Sequence, residues 1–319
     1  MSAAKSEATR SEFLFCYDAR MTNPNGDPDE NRPRIDPLTK RNIVTEFRLK
    51  RTVRDYLWKK FNSPKGKFSE GKKVFIRAEE DKEGNLKRID DLGAPYIKGN
   101  KVDADRLLKD HIDIRLFGIL FSVPKVSFKR IGPVQFAIGQ SLNPVEEIPI
   151  RITRVVPTKE DAQAGTFGEK SVLRYSFIVF HGFLNDIAAK DTKLTEEDVS
   201  LMTEAMWHGT TNLSTSSKYG QQSRLLLRLR YKQPLAYIGD LDRKLRLSAV
   251  PPLTDLGKAE DLSQVTLDVT KLSSAIDSNA SILSEIDFFE SPDLVCTNDS
   301  QKGKFSEVFS KKVSLKPLS

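Results

Sequence analysis

Four carboxylates, Asp18, Asp27, Asp29 and Asp36, stand among cations near the start of the chain. Paired carboxylates can hold Mg²⁺ and align attack on a phosphodiester. The same side chains, in a stretch dense in Asn, Pro and Gly from Asn23 to Pro37, cap turns by accepting backbone N–H groups. The residue types permit both uses, and the turn-forming company favours capping. The segment Asp27–Asn31 has a calcium-loop flavour, but the sixth position is Arg32 rather than Gly and no Glu stands at the twelfth, so calcium is rejected. The histidines, His111, His181 and His208, lie at no metal spacing and no His–Cys cluster exists. No phosphate-cradling Gly loop or dinucleotide fingerprint is present. Neither a metal nor a cofactor is expected.

The cations suit phosphates better. Arg20, Lys40, Arg41, Lys50, Arg51 and Arg54 fall within one segment, with Asn23 and Asn25 between them. Cations with small polar groups permit close approach of a nucleic-acid backbone without reading its sequence. Gln140 and Ser141 further on, then Lys218 and Arg224 around a Ser/Gln-rich loop, extend the set. Each has a plainer use: a solvated helix face for Arg51, a strand-edge charge for Arg224.

These residues need a scaffold. Phe13, Phe15 and Tyr17 alternate with Leu14, Cys16 and Asp18, the period of a strand. A helix is expected over about 44–61, with Leu49, Val53, Tyr56 and Leu57 on an apolar face and Arg48, Lys50, Arg51 and Arg54 on a basic one. A short strand follows at Lys73–Arg77. Residues 79–103 look like a charged insertion with little core of their own, and 104–120 reads as helical because Ile112, Leu116, Ile119 and Leu120 repeat at helical spacing. A strand is expected over Val134–Ile138. The run Tyr175–Leu184 is too continuously apolar for a surface strand and is assigned to a sheet centre. Thr195 with Asp198 three positions on signals a helix start, running to about Trp207. Further strands are expected at Arg224–Tyr231, Val265–Val269 and Ile286–Phe289. The order implies an α+β fold, with a ferredoxin-like (RRM-type) core carrying insertions.

Segments in a fixed order then carry a resemblance. "NPNGDPDENRPRIDP…VTEFRLKRTVRDYL", "DIRLFG" (Asp113–Gly118), "GPVQFAIGQSLNPV" (Gly132–Val145) and "YSFIVFHGFLN" (Tyr175–Asn185) resemble the backbone subunit of type I CRISPR Cascade, I-B or I-C in kind, of the RAMP superfamily. The resemblance covers most of the chain to about Tyr231. It implies an RRM-like palm, a helical finger region assigned to 66–120, and a long β-hairpin thumb assigned to 143–174. It implies a protein that is not an enzyme, whose copies line up head to tail along one CRISPR RNA as a helical filament. The guide then pairs with a DNA target while the protein reads backbone and shape. The implied partners are a cap subunit, a large PAM-reading subunit, a small subunit and a guide-processing endonuclease. Arg154 and Phe167 in the thumb join the candidate RNA contacts, Phe167 as a wedge against bases or a packing group on a neighbouring copy. Related type III backbone subunits cut target RNA with a loop Asp, and Asp36 sits near that position. A guide-directed RNase is therefore the first alternative, and a generic single-strand binder the second.

The bulk numbers agree with a globular protein. The chain has 319 residues, 38% of them hydrophobic, and a net charge of +7. No apolar run approaches the roughly 20 residues of a membrane helix. The first residues lack the apolar core of a secretory leader, so a cytoplasmic protein is expected. Cys16 and Cys296 are read as reduced, buried thiols. Residues 1–11 are expected to be disordered, with 12–319 forming one elaborated domain.

The thumb reading is testable. The tip, Asp161–Lys170, has no core-forming residue apart from Phe167. Replacing it with a short Gly-Ser turn is expected to leave a folded monomer that binds RNA weakly but builds no ordered filament. Thermal melting, RNA affinity and electron microscopy read the parts separately, and normal filaments would refute the assignment.

Overall fold

A computed structural model describes residues 6–62, 69–123, 126–153 and 167–318. The first strand, β1 (Ser11–Thr22), leads through the polar loop to β2 (Arg41–Val44) and α1 (Glu46–Phe61). Next come α2 (Ile89–Gly93), the short β3 (Ile97–Lys98) and β4 (Lys101–Val102), α3 (Ala104–Asp110), α4 (Ile112–Phe117) and the hairpin of β5 (Gly118–Val123) with β6 (Val126–Ile131). The chain returns through β7 (Val134–Phe136), β8 (Gly139–Pro144), β9 (Glu147–Thr153) and β10 (Phe167–Leu184), then α5 (Asp186–Thr192), α6 (Glu196–Thr211) and β11 (Gln221–Tyr231). After β11 come β12 (Arg246–Ala249), β13 (Val265–Asp268), α7 (Thr270–Ser278), β14 (Leu283–Glu290), β15 (Cys296–Asn298), β16 (Gln301–Gly303), α8 (Phe305–Val308) and β17 (Leu315–Pro317); β14 and β17 join the main sheet, and the others form a C-terminal lobe.

The main sheet runs β17-β14-β11-β1-β10-β8-β2, and β7 and β9 also pair with β10. β1 lies antiparallel between β10 and β11, with Phe15 opposite Phe180 on one side and Leu226 on the other. Both faces are covered. Phe13, Phe15 and Tyr17 pack with Leu49, Val53 and Leu57 of α1 and Val199, Met202 and Met206 of α6. Leu14 and Cys16 join Phe177, Leu225, Leu227 and Leu229 against the C-terminal lobe. Burial on both sides explains why these strands read as continuous apolar runs.

The finger region departs from expectation. The helix foreseen over 104–120 breaks at His111, and Gly118 ends it at φ +73, where a Cβ would lie 2.3 Å from the Arg130 carbonyl oxygen. Ile119 and Leu120 belong to the β5–β6 hairpin, and Leu120 is exposed. The strand expected at Lys73–Arg77 is a single bridge between Lys73 and His111. Residues 79–103 share a core after all, since Tyr96 packs with Phe75, Leu107, Leu108 and Phe121. The described part of the expected disordered N-terminus is tied down. Ala8 is buried and its amide donates to Leu194 O at 3.2 Å, while Thr9 binds Glu196.

One buried charge cluster joins α4 to α6. The capping box at the start of α6 forms as read, Thr195 with Asp198. Asp198 is also gripped by Arg115 of α4 at 2.8 and 2.9 Å, and Arg115 donates to the carbonyls of Leu108 and Gly71. Burial works to raise the Asp198 carboxyl, but the Arg115 hydrogen bonds and charge outweigh it, so the group is held below the usual range. Asp198→Ala strands a buried guanidinium and is expected to cost about 3–5 kcal/mol. Denaturant unfolding checks this, and a loss below about 1 kcal/mol, the size of a surface pair, would refute it.

Candidate nucleic-acid interface

The polar loop after β1 is braced from within. Asn23 is buried and its side-chain Nδ2 donates to Asn31 O at 2.7 Å. The Asn25 side-chain oxygen accepts from both the amide and the hydroxyl of Thr45, at 2.9 Å each. Thr45 in turn caps α1. Asp27 accepts from the amides of Asp29, Glu30 and Asn31, and Asp36 from the Leu38 amide and the Thr39 hydroxyl. These hydrogen bonds hold both carboxyls below the usual range. Asp18 lies apart, buried with Arg224 at 2.9 Å and Tyr175 at 3.1 Å. Asp27 and Asp36 are thus turn caps and Asp18 a buried ion-pair partner, while Asp29 is exposed, and no group of metal-ligating side chains occurs among the described residues.

The helix α1 distributes its cations differently from expectation. Lys50 is buried and donates to Gln135 at 3.3 Å. Arg54 pairs with the buried Asp113 at 3.0 Å, and Asp113 also accepts from the amides of Phe75 and Ile76. Lys50 thus serves β7 and Arg54 serves α4, so neither is open to a phosphate. Arg51 stays exposed, paired with Asp55 at 2.7 Å. Ser141 is also closed off, accepting from the Asn42 amide and donating to Asn143 O. Asn23 and Asn25 likewise serve the loop.

What remains open gathers at the ends and edges of the sheet. A groove of about 440 Å³ between α1 and the loop after α6 is lined by Arg48, Arg51, Trp58, Lys59, Thr215 and Lys218. Lys218 donates to Asn23 O, while the Ser217 carbonyl accepts from the Asn23 amide, so this loop and the one after β1 form one surface. Lys170 at the foot of the β9–β10 hairpin reaches Ser216. Burial, helped by the charge of Arg48, pushes Lys218 down to about 8. Arg20 lines a neighbouring cavity of about 730 Å³ with Met21 and the exposed Tyr219, where Arg224 is already paired with Asp18 and the carboxylates of Asp261 and Asp293 also stand. Lys40 is exposed at a left-handed turn, φ +57. Arg41 and Gln140 are exposed elsewhere, along the β2–β8 edge. Phe167 opens β10 opposite Thr153, and Arg154 lies outside the described residues. Sequence reasoning missed Lys59, Trp58 and Tyr219. The signal was there for Lys59, one turn beyond Asp55 on the helix face of Arg48 and Arg51, but only the folded loop brings Tyr219 near Arg20.

Residues 9–270 match the family described as CRISPR-associated protein Cas7. The chain is 32% identical over 291 residues to a "CRISPR-associated protein Cas7" of Haloferax volcanii, with 82% of this chain and 81% of the relative covered. Among solved structures it is similar to a chain of a "CRISPR RNA-guided surveillance complex, pre-nicking" at TM-score 0.48 and 14% identity, covering 86% of this chain and 88% of that one. It is also similar to a chain of a "CRISPR RNA-guided surveillance complex" at TM-score 0.46 and 13% identity, with the same coverages.

The groove makes a pH prediction. In the free protein burial disfavours the charged Lys218. An anion beside it favours the ammonium, so binding takes up a proton once the pH exceeds about 8. Affinity for a single-stranded polyanion is expected to be level between about pH 6 and 7 and to fall as pH rises from about 8 toward 10. Lys218→Arg should flatten the profile, because guanidinium does not titrate there. Fluorescence anisotropy measures both, and a wild-type profile without the fall would refute the role.

Proposed function

This chain belongs to the CRISPR-associated Cas7 family, and from that premise we propose that it binds CRISPR RNA as the backbone subunit of a type I Cascade surveillance complex. The observation that carries the reading is the groove where Arg48, Arg51, Lys59 and Lys218 converge on one path. Cations without base-reading partners suit a protein that must hold any guide sequence. Arg20 and Lys40 extend the path past the end of β1, and Arg154 and Phe167 are kept as candidate contacts of the hairpin. Tyr219 offers a face on which a base stacks.

The strand order β11-β1-β10-β8, with α1 and α6 on one face, supports reading the palm as ferredoxin-like. The finger is assigned to 66–120 and the thumb to 143–174, within one domain over 12–319. Copies of the chain grow head to tail along the RNA, and such heterologous contacts build open filaments. The guide pairs with target DNA. The cap, PAM-reading, small and guide-processing subunits complete the complex in the cytoplasm; no described helix is long and apolar enough to cross a membrane. The subunit is read as non-catalytic. Support comes from Asp27 and Asp36, whose oxygens already serve backbone amides and a hydroxyl.

Affinity for several unrelated single-stranded RNAs, measured at rising salt, tests the reading. Similar affinities are expected, falling with salt at a slope of roughly −0.7 per phosphate neutralised. Arg51→Glu with Lys59→Glu should weaken all of them at least tenfold. A strong preference for one sequence would overturn the reading. So would regular cuts in complementary RNA with Mg²⁺ that vanish in Asp36→Ala.

A further inference from the structure

A second cationic groove lies away from the first. It occupies about 760 Å³ between the sheet edge and the C-terminal lobe. Arg41 and Gln140 stand on the sheet side, and Arg243 and Arg246 on the lobe side. The two grooves share no lining residue. Arg41 and Arg246 are exposed and have no carboxylate partner among the described residues. Arg243 has only a loose pair with Asp240 at 3.9 Å, both side chains largely in solvent. Asp242 is the one carboxylate in the lining, and it is turned toward His181 at 3.7 Å. The exposed Ile138 supplies an apolar shelf between the charged walls.

We propose that this groove binds the phosphodiester backbone of a second single-stranded nucleic acid, distinct from the guide held along α1. Guanidiniums on facing walls match phosphate oxygens through forked hydrogen bonds. Their spread along an open groove fits a chain of phosphates rather than one small anion, which a closed cage would hold. The lining sets the guanidiniums of Arg41, Arg243 and Arg246 against the single carboxylate of Asp242, which favours a polyanion as occupant. The Ile138 shelf suits a sugar or base lying between phosphate contacts. The inference gives the C-terminal lobe, which sequence motifs left unassigned, one wall of a binding site.

The guide-loaded complex, assembled from full-length chains, is titrated with labelled single-stranded DNA and, separately, RNA, neither complementary to the guide. Salt-sensitive binding to the complex is expected, and whichever strand binds more tightly identifies the source. Arg243→Glu with Arg246→Glu should weaken it at least tenfold, and the Gln pair less. Guide content, copy number and melting temperature should stay as in wild type. Unchanged affinity would overturn the proposal. Loss of guide RNA would place these arginines on the guide's path instead, and loss of neighbouring copies would make the groove a protein interface. Either result also overturns it. Failure of the wild-type chain to load a guide would refute the backbone-subunit reading alone. The same variants titrated as free chains would then still decide this groove.

Discussion

The pairing of β1 with β10, covered on both faces, constrains everything else. Phe13, Phe15 and Tyr17 turn to the helices while Leu14 and Cys16 turn to the C-terminal lobe. Side chains in the middle of these strands are therefore unavailable to any ligand. Chemistry must sit where the strands run out or where the sheet ends. Arg20 emerges near the end of β1, Arg224 near the start of β11, and Arg41 on the edge strand β2. The loop after β1 and the loop after α6 meet at the same end and lock through Asn23, Ser217 and Lys218. A sheet with one open face would have spread the cations; this one concentrates them.

Charges inside the fold set how the layers dock. Arg228 is buried on β11 and grips Glu196 at the start of α6 at 2.8 and 2.9 Å, with Ser11 at 3.0 Å. Glu12 accepts from Tyr231, His181 and the amides of Ile238 and Gly239, so it orients the chain entering the C-terminal lobe. Burial raises Glu12 less than its hydrogen-bond donors lower it, and the carboxylate stays charged. Such pairs return little net stability over apolar packing, because desolvation offsets their attraction. A misplaced layer would leave them unpaired, which is costly. They therefore select one docking arrangement of helices, sheet and lobe.

What the sequence showed follows from locality. Thr195 and Asp198 are three residues apart, so the capping box was legible without tertiary knowledge. The central strand was legible because burial on both faces leaves an unbroken apolar run from Phe177 to Phe180. The finger was not. Ile119 and Leu120 sit at helical spacing from Ile112, yet a left-handed glycine at 118 turns the chain into a hairpin whose partner strand comes later. Tyr96 finds its core only when Phe75 and Phe121 arrive from distant positions. The C-terminal lobe offered short strands without motifs, and its pairing of β13 with β15 spans a helix and the main-sheet strand β14.

The cations of α1 show why charge density overstates a binding surface. Arg48, Lys50, Arg51 and Arg54 looked like one basic face, but a helix turning about 100° per residue spreads these positions over nearly half its circumference. Lys50 and Arg54 fall beside α4 and β7, where Asp113 and Gln135 supply partners and Phe117 lies within 6 Å of both cations. They hold α4 and β7 against α1. Arg51 falls on the far side, facing the groove with Arg48, and Lys59 extends that line two turns on. One helix thus divides its charge between building the fold and addressing a ligand. The division is set by which rotational positions α4 and β7 cover. A polyanion meets only the remainder, joined there by Lys218 from a loop more than 150 residues away in sequence. The electrostatic surface of this protein is consequently a property of the docked layers, and no single segment of the chain carries it.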